Sequence, residues 1–331
     1  MPRRPIPRAA AGVVAVLALD LILLVLQGSP ASAAVDTRRV SSAAELQEAL
    51  TSALPGQVIE LADGVYGGRF VASASGTPAE PIVLRGGRGA VLDGGTASTG
   101  VTLQLEGANY WRLEGFTVRG GQKGVVLDSS NHDVLSTLDV GETGMEAVHF
   151  RSSSSDNRLE GSSVHDTGRV NAGFGEGVYV GSAQSNWGKY GNSGGMDRSD
   201  RNVIAGNRIY AVTAENIDIK EGTTGGEISG NALEGNGMTG SHYADSWIDL
   251  KGNGWLVAAN TGTQAVLDGI QTHVQLPGWG RDNVLRGNRL TVDAAGYGIN
   301  IQGADSLSRN AIGCDNTVSG AGRGTANLPC G

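Results

Sequence analysis

Two short segments carry the same ionisable pair. "AENIDIKEGTTGG" (residues 214–226) holds Asp218 and Lys220, and "ADSWIDLKGNG" (residues 244–254) holds Asp249 and Lys251. Side chains alternate along a strand, so a carboxylate and an ammonium two positions apart share a face. Ile217 and Ile219 take the other face of the first segment, Ile248 and Leu250 that of the second. Such residues can do chemistry in two ways. Carboxylates hold a hard cation such as Ca²⁺, and a lysine that has lost its proton is a base. Whether two segments make one site depends on the scaffold beneath them.

The scaffold is legible in repeats. Phrases similar to N-x-[IL]-x-G-N end at Asn207, Asn231, Asn260, Asn288 and Asn316. Between them recurs a second strand: "VVLD" at 125, "VHFR" at 148, "VYVG" at 178, "IDIK" at 217, "IDLK" at 248, "IQTH" at 270 and "INIQ" at 299. Units of 22 to 39 residues with short strands and no helix predict an all-β chain, a parallel β-helix solenoid in which stacking buries the apolar face. A propeller needs longer strands and blades of ~40 residues. The repeated Asn residues are expected in turns, bonding along the stack, because Asn tolerates a left-handed conformation. "VSSAAELQEALTSALPG" reads as one short amphipathic helix, N-capped by Ser41 or Ser42, that covers the N-terminal end of the stack.

Stacking gives the two segments their meaning. Equal positions in successive turns lie about 4.8 Å apart. One outward row is Val126, His149, Tyr179, Asp218, Asp249, Gln271, Asn300; the next is Asp128, Arg151, Gly181, Lys220, Lys251, His273, Gln302. A surface patch then carries stacked carboxylates beside stacked ammonium groups. Glu176, Glu215 and Asp268 share an aligned position just before these strands, and Asp245 lies one residue ahead of it. Like charges at about 5 Å repel by roughly 3 kcal/mol at an effective dielectric near 20. Either the lysines offset this as a surface ion-pair network, or a bound Ca²⁺ does.

Composition agrees with short strands and tight turns: Gly is 53 of 331 residues and aromatics are 5%. A net charge of -8 disfavours nucleic acid. Arg3, Arg4 and Arg8, an apolar stretch over 9–28 and "ASA" at 31–33 read as a signal peptide over 1–33, leaving 34–331 as one domain without a membrane segment. A membrane anchor is the alternative, which Asp20 within the apolar stretch opposes. The mature chain is expected to be secreted, extracellular and monomeric. There Cys314 and Cys330, the two cysteines, are expected to form a disulfide.

These features resemble the pectate-lyase-like superfamily of right-handed parallel β-helices over nearly the whole mature chain. Within it, residues 215–250 are similar to the calcium-binding motifs of family 9 polysaccharide lyases, an Ala-Asp-Gly-Phe-Ala-x-Lys run followed by Asp-Asp-Gly-Trp-Asp. Here the counterparts are "AENIDIK" and "DSWID". The resemblance places Glu215, Asp245 and Asp249 at the motif carboxylates, with Asp218 stacked beside them. Ser246 stands where the family has a further Asp, and Trp247–Ile248 where it has Gly-Trp.

The resemblance implies β-elimination on an acidic, uronic-acid-containing polysaccharide. A cation on the uronate carboxylate stabilises the carbanion-like transition state while a base removes the C5 proton. Lysine, ordinarily titrating near 10.4, becomes a base when Ca²⁺ neutralises its carboxylate neighbours. Lys220 fits the motif lysine; Lys251 and His273 are the alternatives. Arg151 and Arg281 are candidates for substrate carboxylates, and Trp187, Tyr243 and Trp279, in glycine-rich loops, for sugar rings. A glycoside hydrolase of this fold would use a Gly-His-Gly motif, which is absent. A uronan C5-epimerase begins with the same proton abstraction, and a non-catalytic glycan-binding solenoid needs no base.

Overall fold

The computed structural model describes residues 1–2, 36–303 and 308–331. The basic and apolar N-terminal stretch and its cleavage motif lie outside these residues. Among the described residues no helix is long and apolar enough to cross a membrane.

Among the described residues thirty-one short strands form three parallel sheets. Sheet A has 11 strands, from Thr37–Val40 to Ala311–Ile312. Sheet B has 10, from Gly64–Gly67 to Thr317–Ala321. Sheet C has 10, from Phe70–Ala72 to Gly324–Ala326. After Thr37–Val40, which pairs with Val58–Leu61, each strand bonds the third strand after it until the three sheets end. That is a parallel β-helix: each turn gives one strand to each sheet.

Alternation fixes which residues fill the solenoid. In sheet C, Val125, Val148, Val178, Ile217, Ile248, Ile270 and Ile299 form one fully buried column, and Leu127, Phe150, Val180, Ile219 and Leu250 a second. The column needs its neighbours, since a single turn would leave its apolar face in water.

The Asn phrases form a buried ladder. Asn207, Asn231, Asn260 and Asn288 each donate a backbone N–H and a side-chain Nδ2–H to the Oδ1 of the next Asn, at 2.9–3.0 Å, ending on Asn316. The left-handed residue is not the Asn. It is the one before it, Gly206, Gly230 and Gly287 with φ +64°, +63° and +64°, and Ala259 with φ +56°. Buried side-chain amides, not turn conformation, explain the repeated Asn.

Helix α1 (Ala43–Thr51) lies over the first strands and buries Leu46, Ala49 and Leu50. Ser42 Oγ accepts from the N–H of Glu45, whose carboxylate accepts from the N–H of Ser41, a reciprocal cap. Gln47 bonds both the C=O and the N–H of Val71 in the edge strand Phe70–Ala72, closing that free edge. At the other end Cys314 and Cys330 form a disulfide.

Candidate active site on sheet C

Strand register brings the paired segments together. Tyr179 lies opposite Asp218, Asp218 opposite Asp249, Asp249 opposite Gln271, and Gln271 opposite Asn300. The ladder runs one residue further: the N–H of Lys251 donates to Ile219 O at 2.8 Å and that of His273 to Leu250 O at 3.0 Å. Asp218 therefore sits over Asp249 and Lys220 over Lys251 along one outer wall.

The wall is not a solvated patch. Asp218 is 2% exposed, Asp249 6% and Lys251 9%. Residues 183–201, the insertion that makes one turn 39 residues long, rise beside it, as do residues 170–175 and 236–245. They enclose a cavity of about 580 Å³. Its lining includes Glu176, Tyr179, Glu215, Asp218, Lys220 and Lys251.

The charges inside are paired unevenly. Lys251 Nζ donates to Asp218 Oδ1 at 3.0 Å and also to Asp249 Oδ2. Lys220 Nζ lies 2.5 Å from Asp218 Oδ2 and 4.9 Å from the Tyr179 ring centroid. Burial opposes the charge of both lysines, yet Asp218 and Asp249 outweigh it and hold both ammonium groups above the usual lysine range. Asp249 is held well below the carboxylate range; burial works against this, and Lys251 and His273 overcome it. His273 Nε2 is 2.9 Å from Asp249 Oδ1 but has hydrogen-bond geometry only to Gln271 Oε1, at 2.8 Å. Asp249 Oδ1 is thus a buried oxygen with no hydrogen bond.

Glu176 and Glu215 line the same cavity. Both are 6% exposed, and no other described residue donates a hydrogen bond to either carboxylate. Burial, then repulsion from Glu146 and Asp218, pushes Glu176 up to about 8. Burial, then Asp218 and Asp249, raises Glu215 well above its ordinary value. One oxygen of each and one of Asp218 lie within 4.8 Å of one another.

Two further carboxylates of this wall, Asp245, anticipated as a metal ligand, and Asp268, each accept hydrogen bonds. Asp245 accepts from Gln271 Nε2 at 2.7 Å, and burial raises it. Asp268 accepts from Gln271, Asn300 and the N–H of Tyr297, and stays within the wall. Ser246, where family 9 has an Asp, turns its hydroxyl onto Ile248 O at 3.0 Å. The carboxylate oxygens that cluster are those of Glu176, Glu215 and Asp218, all hard donors of the kind a Ca²⁺ takes.

The remaining candidates divide by position. Tyr243 lines the cavity at 91% exposure. Arg151 lies next to it, bidentate on Asp128 at 2.6 and 2.9 Å. Trp187 packs on Gly222 and donates to Ser182 O at 2.9 Å, holding the insertion in place. Trp279 and Arg281 are outside the cavity lining; Arg281 lies 3.6 Å from Asp282. Tyr179, Glu176 and Gln271 stood in the aligned rows, but nothing in their residue types marked them as cavity residues.

No protein-family profile matches the sequence, and no curated protein does. Solved structures do. The chain is 39% identical to the alginate lyase from Paenibacillus sp. str. FPU-7, covering 89% of this chain and 100% of that one, with a TM-score of 0.83. The chain belongs to the parallel β-helix polysaccharide lyases. The lyase also shares its fold with the pectate lyase Pel9A, at 16% identity over 89% of this chain and 80% of that one, TM-score 0.65. A mannuronic acid specific family 6 polysaccharide lyase from human gut microbiota is 13% identical over 86% and 72%, TM-score 0.55. At those identities the likeness is one of fold.

Proposed function

We propose that this lyase is a secreted enzyme that cleaves alginate by β-elimination in the sheet C cavity. The observation that carries the reading is the Tyr179–Lys220–Asp218 arrangement, buried in the cavity of a chain 39% identical to an alginate lyase.

Lys220, in its amine form, takes the C5 proton of the uronate. The electron pair of the C5–H bond forms the C4=C5 double bond, and the C4–O4 bond breaks. Tyr179 gives its hydroxyl proton to the departing O4; burial, then Asp218 and Glu176, holds this phenol far above its usual value, so it is a donor rather than a base. Lys251 secures Asp218 and Asp249 from the next turn. Tyr243 offers a ring at the mouth. Lys251 and His273 remain the alternative bases.

Glu176, Glu215 and Asp218 would hold Ca²⁺, with only oxygen donors and no competing hydrogen bond on the two glutamates. Bound there, the cation would supply positive charge for the substrate carboxylate and cancel the negative charge that keeps Lys220 protonated.

The test is ultraviolet absorbance of unsaturated ends from alginate, polygalacturonate and a glycosaminoglycan, with calcium and with chelator. Calcium-dependent absorbance on alginate is expected. Absorbance only on another uronan would overturn the substrate, and equal rates with chelator would overturn the metal. Altered uronate composition without unsaturated ends would point to epimerisation, and retention of polymer without any product to a binding solenoid.

A further inference from the structure

The groove does not end at Tyr179. A second cavity of about 360 Å³ adjoins the first and shares Phe174, Glu176, Tyr179 and Asn186 with it. It lies toward the N-terminal end of the stack, against strands Lys123–Asp128 and Val148–Arg151. From Lys123–Asp128 to Tyr297–Ile301 sheet C has seven rungs, so the two cavities extend along roughly 29 Å of solenoid. That is room for several sugar residues in line.

The second cavity gathers three cations beside two carboxylates, Glu146 and Glu176, although the chain carries a net charge of -8. Lys123, Arg151 and Lys189 all line it. Two of the three are committed: Lys123 to Glu146, and Arg151 to Asp128. Lys189 is not. Its ammonium stands 4.7 Å from the Tyr190 ring centroid, on which Arg151 also rests at 4.2 Å, and among the described residues no carboxylate lies within ion-pairing distance. The helix that carries it, α2 (Trp187–Tyr190), is fixed to the wall: Trp187 donates to Ser182 O, and the N–H of Gln184 donates to Glu221 Oε1 at 2.7 Å. The 39-residue turn thus delivers one unpaired cation to the end of the groove opposite His273.

We propose that this second cavity is a uronate subsite, in which Lys189 pairs with the carboxylate of a sugar residue a short way along the same chain from the one being cleaved. The proposal rests on the lyase reading and adds to it a requirement for charge remote from the scissile bond. A carboxylate fits better than a doubly charged group, because one cation is free rather than two or three.

The experiment compares wild type with Lys189→Ala and Lys189→Glu on alginate oligosaccharides of increasing length and on carboxyl-reduced alginate. In wild type, kcat/KM should climb with length until the chain reaches the second cavity. Lys189→Ala should lose roughly three- to fivefold in kcat/KM on long chains, the worth of one exposed ion pair, through KM rather than kcat. The effect should be larger for Lys189→Glu, shrink on the shortest cleavable chains and weaken at high salt. A wild-type length profile in both variants overturns the subsite while leaving the lyase reading intact. If wild type cleaves no uronan, retardation in gels cast with alginate decides: weaker retardation of Lys189→Ala upholds the subsite, and equal retardation overturns it.

Discussion

Lys251 reaches back across one turn of the solenoid to Asp218, 3.0 Å from Nζ to Oδ1, while also holding Asp249 on its own strand. One ammonium thus ties two turns together at the floor of the cavity. Asp218 carries the second lysine as well. Three of the four charges therefore meet on a single carboxylate that is 2% exposed.

Removing that carboxylate should be costly. Asp218→Asn keeps the shape but removes the one carboxylate paired with Lys220 and one of the two paired with Lys251. Breaking a buried pair from one side costs about 3–5 kcal/mol. Urea unfolding should show a loss near the lower end, since the neighbouring Glu215 gains from losing a like charge. An unchanged midpoint would mean that the network adds nothing to stability.

The register of this network was legible in sequence, because strand alternation and stacking leave no freedom once Ile217, Ile248 and Ile270 are aligned inward. Its burial was not. The outward rows read as a surface, and only the folded course of residues 183–201 and 236–245 turns that surface into a cavity. Lengths of 39 and 31 residues between aligned strands signalled the excursions but not their direction. Hence Trp279 and Arg281, equally exposed-looking in sequence, stand outside the cavity, while Tyr179, an ordinary strand residue in the row, stands in it. The asparagine phrases were visible as a repeat, but the buried amide ladder depends on the preceding Gly or Ala turning the chain, which spacing does not reveal.

That ladder predicts a stability effect far from the site. Asn260 Oδ1 accepts two hydrogen bonds from Asn231, and Nδ2 donates to Ile228 O and to Asn288. Asn260→Ala strands buried partners on both sides. At about 1–3 kcal/mol for each buried group left unsatisfied, thermal unfolding should fall clearly, with no change in cleavage products.

A second ladder contains an acid. Asp133 Oδ1 accepts from the N–H of Trp111 at 2.7 Å and its N–H donates to Asn157, but Oδ2 is buried without a partner. Burial pushes this carboxyl up to about 8. A raised folded value means that stability is full below the unfolded value near 3.9 and is lost as pH rises toward 8. Asp133→Asn, which restores the amide found at Asn157 and Asn202, should match wild type near pH 4. Above pH 8 it should be the more stable by up to about 5 kcal/mol. Denaturant curves across that range check it, and parallel curves at all pH values would refute it.

Calcium should stabilise the chain in a pH-dependent way. Glu176, pushed up to about 8, must lose its proton before it can ligate, so the thermal shift should grow as pH rises through that value. At a hundredfold excess over Kd the gain should be about 2.7 kcal/mol. Glu176→Gln and Glu215→Gln should each reduce it strongly, and Asp245→Asn should not. An equal loss in Asp245→Asn would return the cation to the set suggested by the family 9 motif.

The proposed chemistry rests on Lys220 as the base, and one comparison tests it most directly. Unsaturated product from alginate is followed for wild type and Lys220→Arg, with unfolding curves to confirm the fold. An arginine keeps the charge opposite Asp218 but does not give up its proton. The account predicts wild-type turnover and a loss of about 10²–10⁴-fold in kcat for the variant. Near-wild-type turnover by Lys220→Arg would contradict it and move the base to Lys251 or His273.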